Sequence, residues 1–150
     1  MTSSEIQTGL YYGRQTRLSQ PFLPLTESPK PPLSVLLVDD ELVVRQVLTE
    51  MLQTQGHTVT STDDPEHALE LASAGGVFDL LITDLVMPKL DGYELAVAVA
   101  ERAPKLKVIF ISGYTSETDR LGLGGDGVAF LQKPFKIEEL EAKVREVLGD

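Results

Sequence analysis

The sequence contains no cysteine. That absence removes disulfide frameworks, thiolate metal sites and a thiol nucleophile together, and it fits a reducing cytosol. Positive charge is scarce: 13 Lys and Arg face 23 Asp and Glu, a formal net charge of −10. A field of that sign repels phosphate backbones and anionic lipid, which argues against nucleic acid and against a membrane surface as partners. Long hydrophobic runs are missing too. No apolar run exceeds six residues, far short of a membrane span, and the N-terminus lacks the apolar core of a signal peptide, so the expected location is the cytoplasm. What is present is ordinary for a globular chain. With 42% hydrophobic and 24% charged residues in 150, there is material for one domain with its own core and not for two.

Five of the nine prolines (Pro21, Pro24, Pro29, Pro31, Pro32) fall within twelve residues, and residues 1–33 show no sustained period of 2 or 3.6. This stretch reads as a Pro-rich tail or linker. Its few charges sum to +1, so the acidity belongs to residues 34–150, which carry −11. Leu10, Tyr11, Tyr12 and the Phe22-Leu23 pair are scattered apolar residues of a kind that termini commonly leave unstructured.

From Ser34 onward short aliphatic runs alternate with longer amphipathic stretches, the signature of parallel α/β folding. Val35-Leu36-Leu37-Val38, Leu80-Leu81-Ile82 and Val108-Ile109-Phe110-Ile111 are continuous and short, as strands covered on both faces are. Residues 58–61, Val59 among threonines, suit a sheet edge, and Val128-Ala129-Phe130-Leu131 gives a fifth strand. Between them the first helix is expected from about Glu41 to Gln55, with Val44, Leu48, Met51 and Leu52 inward and Gly56 ending it in a left-handed turn. Asp64 and Pro65 open a second helix to about Ser73. A third runs from about Tyr93 to Arg102. A fourth, after Thr115, must be short because Gly122, Gly124, Gly125 and Gly127 crowd the segment beyond it. The last carries Ile137, Leu140, Val144, Val147 and Leu148 as an apolar stripe on an otherwise charged helix. The fold class is therefore α/β, a (βα)5 doubly wound five-stranded parallel sheet, and the flavodoxin-like order 2-1-3-4-5 is the one expected for it, which would set the first and third strands side by side.

Open parallel sheets bind ligands outside the carboxyl ends of their strands, so the residues after each apolar run matter most. These are Asp39, Asp40 and Glu41 after the first, Asp84 after the third, Ser112 and Gly113 after the fourth, and Lys133 and Pro134 after the fifth. Carboxylates gathered at the ends of two adjacent buried strands repel one another, and a divalent cation relieves that repulsion. With only oxygen ligands on offer the cation is hard, and Mg²⁺ is favoured. Add the Lys133 ammonium and the Ser112 hydroxyl, and one carboxylate is surrounded by the groups that stabilise a phosphoryl group in transfer. The implied chemistry is phosphorylation of an aspartate.

These motifs together resemble the receiver domains of two-component signalling: Asp39-Asp40, Asp84, Met87-Pro88, Asp91-Gly92, Ser112-Gly113 and Lys133-Pro134-Phe135, spread over residues 34–150. The resemblance implies that Asp84 is the phosphoacceptor, Asp40 a direct Mg²⁺ ligand, Asp39 a water-mediated one and the Val86 carbonyl another ligand. It implies that Ser112 and Lys133 bind the phosphoryl oxygens, that the Lys133-Pro134 peptide is cis, and that Phe130 is the switch aromatic, although an aromatic in a strand also serves simply as core. The implied partners are a histidine kinase or phosphotransfer protein and a downstream protein of unknown identity. Homodimerisation through the fourth and fifth helices is common in the family, and the glycine-rich stretch weakens that expectation here.

Single residues admit competing readings. Asp84 alone would pass for a strand terminator, but not beside Asp39, Asp40 and Lys133. Asp91-Gly92 reads as a turn and helix cap. His57 and His67, with no cluster around them, read as solvated. Val86 and Tyr114 stand two residues beyond Asp84 and Ser112, where polar groups help align the attacking water in relatives that dephosphorylate quickly, so a long-lived aspartyl phosphate is expected. A phosphatase of the haloacid dehalogenase type also uses a strand-end Asp but wants a second acid two residues on, where Val86 stands. A non-phosphorylated receiver-like binding module would lack one of the key residues, and none is missing. Only Gly149-Asp150 follow the last apolar stripe, which suggests no output domain. The wording around Ser112 and Lys133 is similar to receivers at the C-terminus of hybrid sensor histidine kinases, making a C-terminal fragment of one the alternative to a stand-alone regulator.

Overall fold

The computed structural model describes residues 32–113 and 127–149. Most of the Pro-rich tail, the short helix expected after Thr115 and Tyr114 lie outside the described residues. In chain order the elements are β1 (Ser34–Val38), α1 (Leu42–Thr54), β2 (Thr58–Thr62), α2 (Pro65–Ser73), β3 (Leu80–Asp84), α3 (Gly92–Arg102), β4 (Lys107–Ser112), β5 (Val128–Gln132) and α4 (Ile137–Leu148). All neighbouring strands are parallel, in the order β2-β1-β3-β4-β5. The first and third strands are thus adjacent, as the sequence pattern requires.

Strand alternation divides the core between the two faces of the sheet. Val35 and Leu37 of β1, Leu80 and Ile82 of β3, and Ile109 and Ile111 of β4 pack with Leu48 and Leu52 of α1 and with Leu140, Val144 and Val147 of α4. Leu36, Val38, Leu81 and Phe110 face the other way, against Ala68 of α2 and Leu95 and Val99 of α3. Every residue of β3 is buried, whereas β2 is mostly exposed or half-buried, which explains its polar composition at a sheet edge. Truncating a fully buried leucine such as Leu81 or Leu95 to alanine is expected to cost about 2–5 kcal/mol.

The helix boundaries have local causes. Asp64 caps α2 by accepting from Glu66 N–H at 2.9 Å, with Pro65 at the first helical position. Asp91 caps α3 in a reciprocal box with Glu94: Glu94 N–H donates to Asp91 Oδ1 at 2.8 Å and Asp91 N–H to Glu94 Oε1 at 3.2 Å. Gly56 follows α1 at φ +94°, the left-handed turn that glycine adopts without strain. The expectation that both histidines are solvated holds for His67 and is corrected for His57. His57 is half-buried and its Nδ1 accepts from Leu33 N–H at 3.1 Å, while the exposed His67 pairs its Nδ1 with Thr62 Oγ1 at 3.0 Å. Each histidine answers to a strand-end group that only the folded register brings near.

Candidate functional site

Register alone assembles the site. Val38 lies opposite Thr83, so the next residues, Asp39 and Asp84, leave adjacent strands side by side. Asp84 lies opposite Ile111, which brings Ser112 alongside, and Ser112 lies opposite Gln132, one residue before Lys133. Lys133 N–H then donates to the Ser112 carbonyl at 2.9 Å, fixing the loop after β5 to the end of β4. A pocket of about 370 Å³ opens at this edge, lined by Asp40, Glu41, Asp84, Val86, Ser112, Gly113 and Lys133.

The Lys133 ammonium is the hub. Its Nζ donates to Asp84 Oδ2 at 3.0 Å and to Glu41 Oε1 at 2.9 Å, and lies 3.7 Å from Asp39 Oδ2. Burial opposes its charge, but the hydrogen bonds to Glu41 and Asp84 and the charges of Asp84 and Asp39 outweigh that and hold the ammonium above its ordinary pKa. The Lys133-Pro134 bond is cis.

Asp39 is completely buried. Its Oδ1 accepts from Glu41 N–H at 2.8 Å, and its backbone carbonyl accepts from Arg45 Nη1 at 2.7 Å. Its Oδ2 has no hydrogen-bond partner. Burial pushes the Asp39 carboxyl up to about 6; the Glu41 N–H and the Lys133 ammonium pull the other way, and the neighbouring Asp84 and Glu41 charges add to the rise. Asp84 is nearly buried and accepts from Val86 N–H at Oδ1, 3.3 Å away.

Among the described residues, Asp39, Glu41 and Asp84 bring one carboxylate oxygen each within 4.8 Å of one another. An all-oxygen donor set with an orphaned buried carboxylate oxygen fits a hard divalent cation. Asp40 is exposed and lines the same pocket outside this tight group, and the Glu41 carboxylate within the group is already engaged by the Lys133 ammonium. The sequence pattern places Glu41 at the strand end without giving it a role. Phe130 is half-buried on the α2–α3 side of the sheet and stacks on Phe110 with ring centroids 5.4 Å apart and planes inclined by 24°. A larger groove of about 590 Å³ at the amino ends of the strands has Asp79 as its only carboxylate among the described residues, already accepting from Ser34 N–H at 2.8 Å. The chemistry therefore concentrates at the carboxyl edge.

The family model for the response regulator receiver domain matches residues 35–145. The chain belongs to that family. It is 38% identical over 117 residues, 77% of its length, to the sensor kinase CckA of Brucella abortus, of which those residues make up 12%. The crystal structure of the receiver domain from the hybrid histidine kinase CckA is 36% identical with a TM-score of 0.64, covering 77% of this chain and 98% of that one. The receiver domain of the sensor histidine kinase PA1611 from Pseudomonas aeruginosa, solved with a magnesium ion coordinated in its active-site cleft, is 28% identical with a TM-score of 0.69, covering 80% of this chain and all of that one. The chain spans about half or less of the length of the curated relatives it matches. It is a receiver domain of two-component systems, similar to the CckA receiver, with an acidic pocket suited to a divalent ion.

Proposed function

We propose that Asp84 takes a phosphoryl group from the phosphohistidine of a histidine kinase or phosphotransfer protein, and that the signal leaves by protein contact or by onward relay. The observation that carries this reading is the placement of Lys133 Nζ 3.0 Å from Asp84 Oδ2 beside a buried carboxylate, Asp39, whose Oδ2 lacks a hydrogen-bond partner. An Asp84 carboxylate oxygen bonds to phosphorus while the bond from phosphorus to the imidazole nitrogen breaks, the electron pair returning to the ring. The Lys133 ammonium and the Ser112 hydroxyl meet the oxygens of the transferring group, and Phe130 follows Ser112 in the response. Asp39, Asp40, Asp84 and the Val86 carbonyl are the groups that would hold Mg²⁺, which when bound neutralises charge on the phosphoryl oxygens. In this reading residues 34–150 are the receiver and residues 1–33 a leader or linker.

A donor surface accompanies the pocket. Leu42 and Val43 in the first turn of α1, Val47 one turn on and Val86 in the pocket wall are four of the six exposed large apolar side chains among the described residues. Val43 and Val47 share a helix face. Exposed apolar side chains at the start of α1 and in the pocket wall suit an amphipathic helix that carries the phosphohistidine.

Treatment with acetyl phosphate and Mg²⁺ followed by intact-mass measurement tests the reading. One phosphoryl adduct is expected on the wild type and none on Asp84→Asn; equal labelling of both would exclude Asp84 as the acceptor. The likeness to CckA supports a second reading, in which the chain is the C-terminal receiver of a hybrid kinase.

A further inference from the structure

Glu41 stands at the N-cap position of α1, yet its side chain caps nothing. An aspartate at that position would ordinarily spend a carboxylate oxygen on the backbone N–H groups of the first turn, and the longer glutamate is free to reach elsewhere. Here the Asp39 side chain accepts the N–H of Glu41 itself, and the Glu41 carboxylate turns outward to Lys133 at 2.9 Å, slightly closer than Asp84 at 3.0 Å. A lysine ammonium has three donors. Two are committed to Glu41 and Asp84, and Asp39 Oδ2 stands 3.7 Å away without a hydrogen bond.

A phosphoryl oxygen arriving on Asp84 therefore competes with these carboxylates for the ammonium, and the one held least firmly gives way first. Asp84 is the acceptor and stays. Asp39 is completely buried and cannot rehydrate without unpacking the end of β1. The Glu41 side chain is 59% exposed and can return to water at small cost.

We propose that Glu41 is a positioning residue acting through Lys133: a placeholder that helps hold the ammonium over Asp84 while the phosphoryl position is empty, and that competes with the phosphoryl group for it. The proposal rests on the phosphoacceptor reading and assigns Glu41 the task of setting how readily the site charges. Its negative charge opposes the arrival of a dianionic donor, and its hydrogen bond competes for the donor's electrostatic partner. In the step affected, the bond from Asp84 oxygen to phosphorus forms, the phosphorus–oxygen bond to acetate breaks, and acetate leaves with the electron pair.

The test compares wild type, Glu41→Gln and Glu41→Ala in three measurements: the rate of phosphorylation by acetyl phosphate at saturating Mg²⁺, the Mg²⁺ affinity by calorimetry, and the affinity for a beryllium fluoride phosphoryl mimic. Losing one exposed ion pair corresponds to about a two- to fivefold change. The expected result is a gain of that size in phosphorylation rate and in mimic affinity in both variants, with Mg²⁺ affinity little changed. A fall in Mg²⁺ affinity together with the rate would make Glu41 a metal ligand and overturn the placeholder role, as would unchanged rates in a wild type that phosphorylates normally. A wild type that neither charges nor binds the mimic would remove the phosphoacceptor reading, and this role with it.

Discussion

Gly92 lies against the backbone carbonyl of Asp84, so closely that a β-carbon built on it would overlap that oxygen. Its N–H also donates to the Leu85 carbonyl at 2.9 Å. The requirement is close approach and not conformational freedom, since Gly92 is not among the glycines with positive φ. Gly92→Ala must therefore push the start of α3 away from β3 or twist Asp84 itself. We expect a stability loss of about 1–3 kcal/mol in urea unfolding and slower phosphorylation of Asp84 by acetyl phosphate. Wild-type values for both would show that the loop yields without disturbing the acceptor.

The buried Asp39 carboxyl ties stability to pH. Its pKa in the folded, metal-free domain is raised from 3.8 to about 6, chiefly by burial. The folded state then holds a proton more firmly than the unfolded chain, so this contribution to stability is complete below the unfolded value and is lost as pH rises through the folded one. The loss is on the order of 3 kcal/mol at most. Urea unfolding in chelator between pH 4 and 7.5 should show the wild type weakening relative to Asp39→Asn, and added Mg²⁺ should restore the wild type more strongly above pH 6 than below it.

The exposed apolar side chains of α1 make transfer from a protein donor separable from transfer from a small one. Val43 is 69% exposed in the first turn of α1. Val43→Glu is expected to slow transfer from a phosphorylated histidine kinase on the order of tenfold, with little effect on the acetyl phosphate rate. Parallel losses with both donors would place the effect in the pocket and not in docking.

Val86 is 60% exposed and lines the pocket two residues after Asp84. An aliphatic group there cannot align an attacking water. Replacing it with asparagine should shorten the lifetime of the aspartyl phosphate several-fold, timed by loss of the adduct after removal of the donor. An unchanged lifetime would mean that water reaches the phosphorus by a route Val86 does not govern.

The backbone plan is legible in the sequence because each part of it has a local cause. Aliphatic runs of β1, β3 and β4 mark buried strands, the threonines of β2 mark an edge, and Asp64-Pro65 and Gly56 mark helix ends. Knowing which strands are adjacent is enough to gather Asp39, Asp84, Ser112 and Lys133. Contacts set by side-chain direction within that plan are not legible. Glu41 and Asp40 are neighbours of one charge, and it is Glu41, its N–H held by Asp39, whose carboxylate reaches Lys133. Phe130 finds Phe110 because β4 and β5 pair those two residues, a register no single strand encodes. Gly92 reads in the sequence as part of a turn and nothing more, since its collision partner belongs to the preceding strand.

The most direct measurement is chemical mapping of the acceptor. The chain is charged with acetyl phosphate and Mg²⁺, reduced with borohydride, which converts an aspartyl phosphate to homoserine, and sequenced as peptides by mass spectrometry. The account predicts homoserine at position 84, lost in Lys133→Ala or when the metal is chelated. Homoserine at another carboxylate, or none in a folded wild-type domain with Mg²⁺ present, would contradict it.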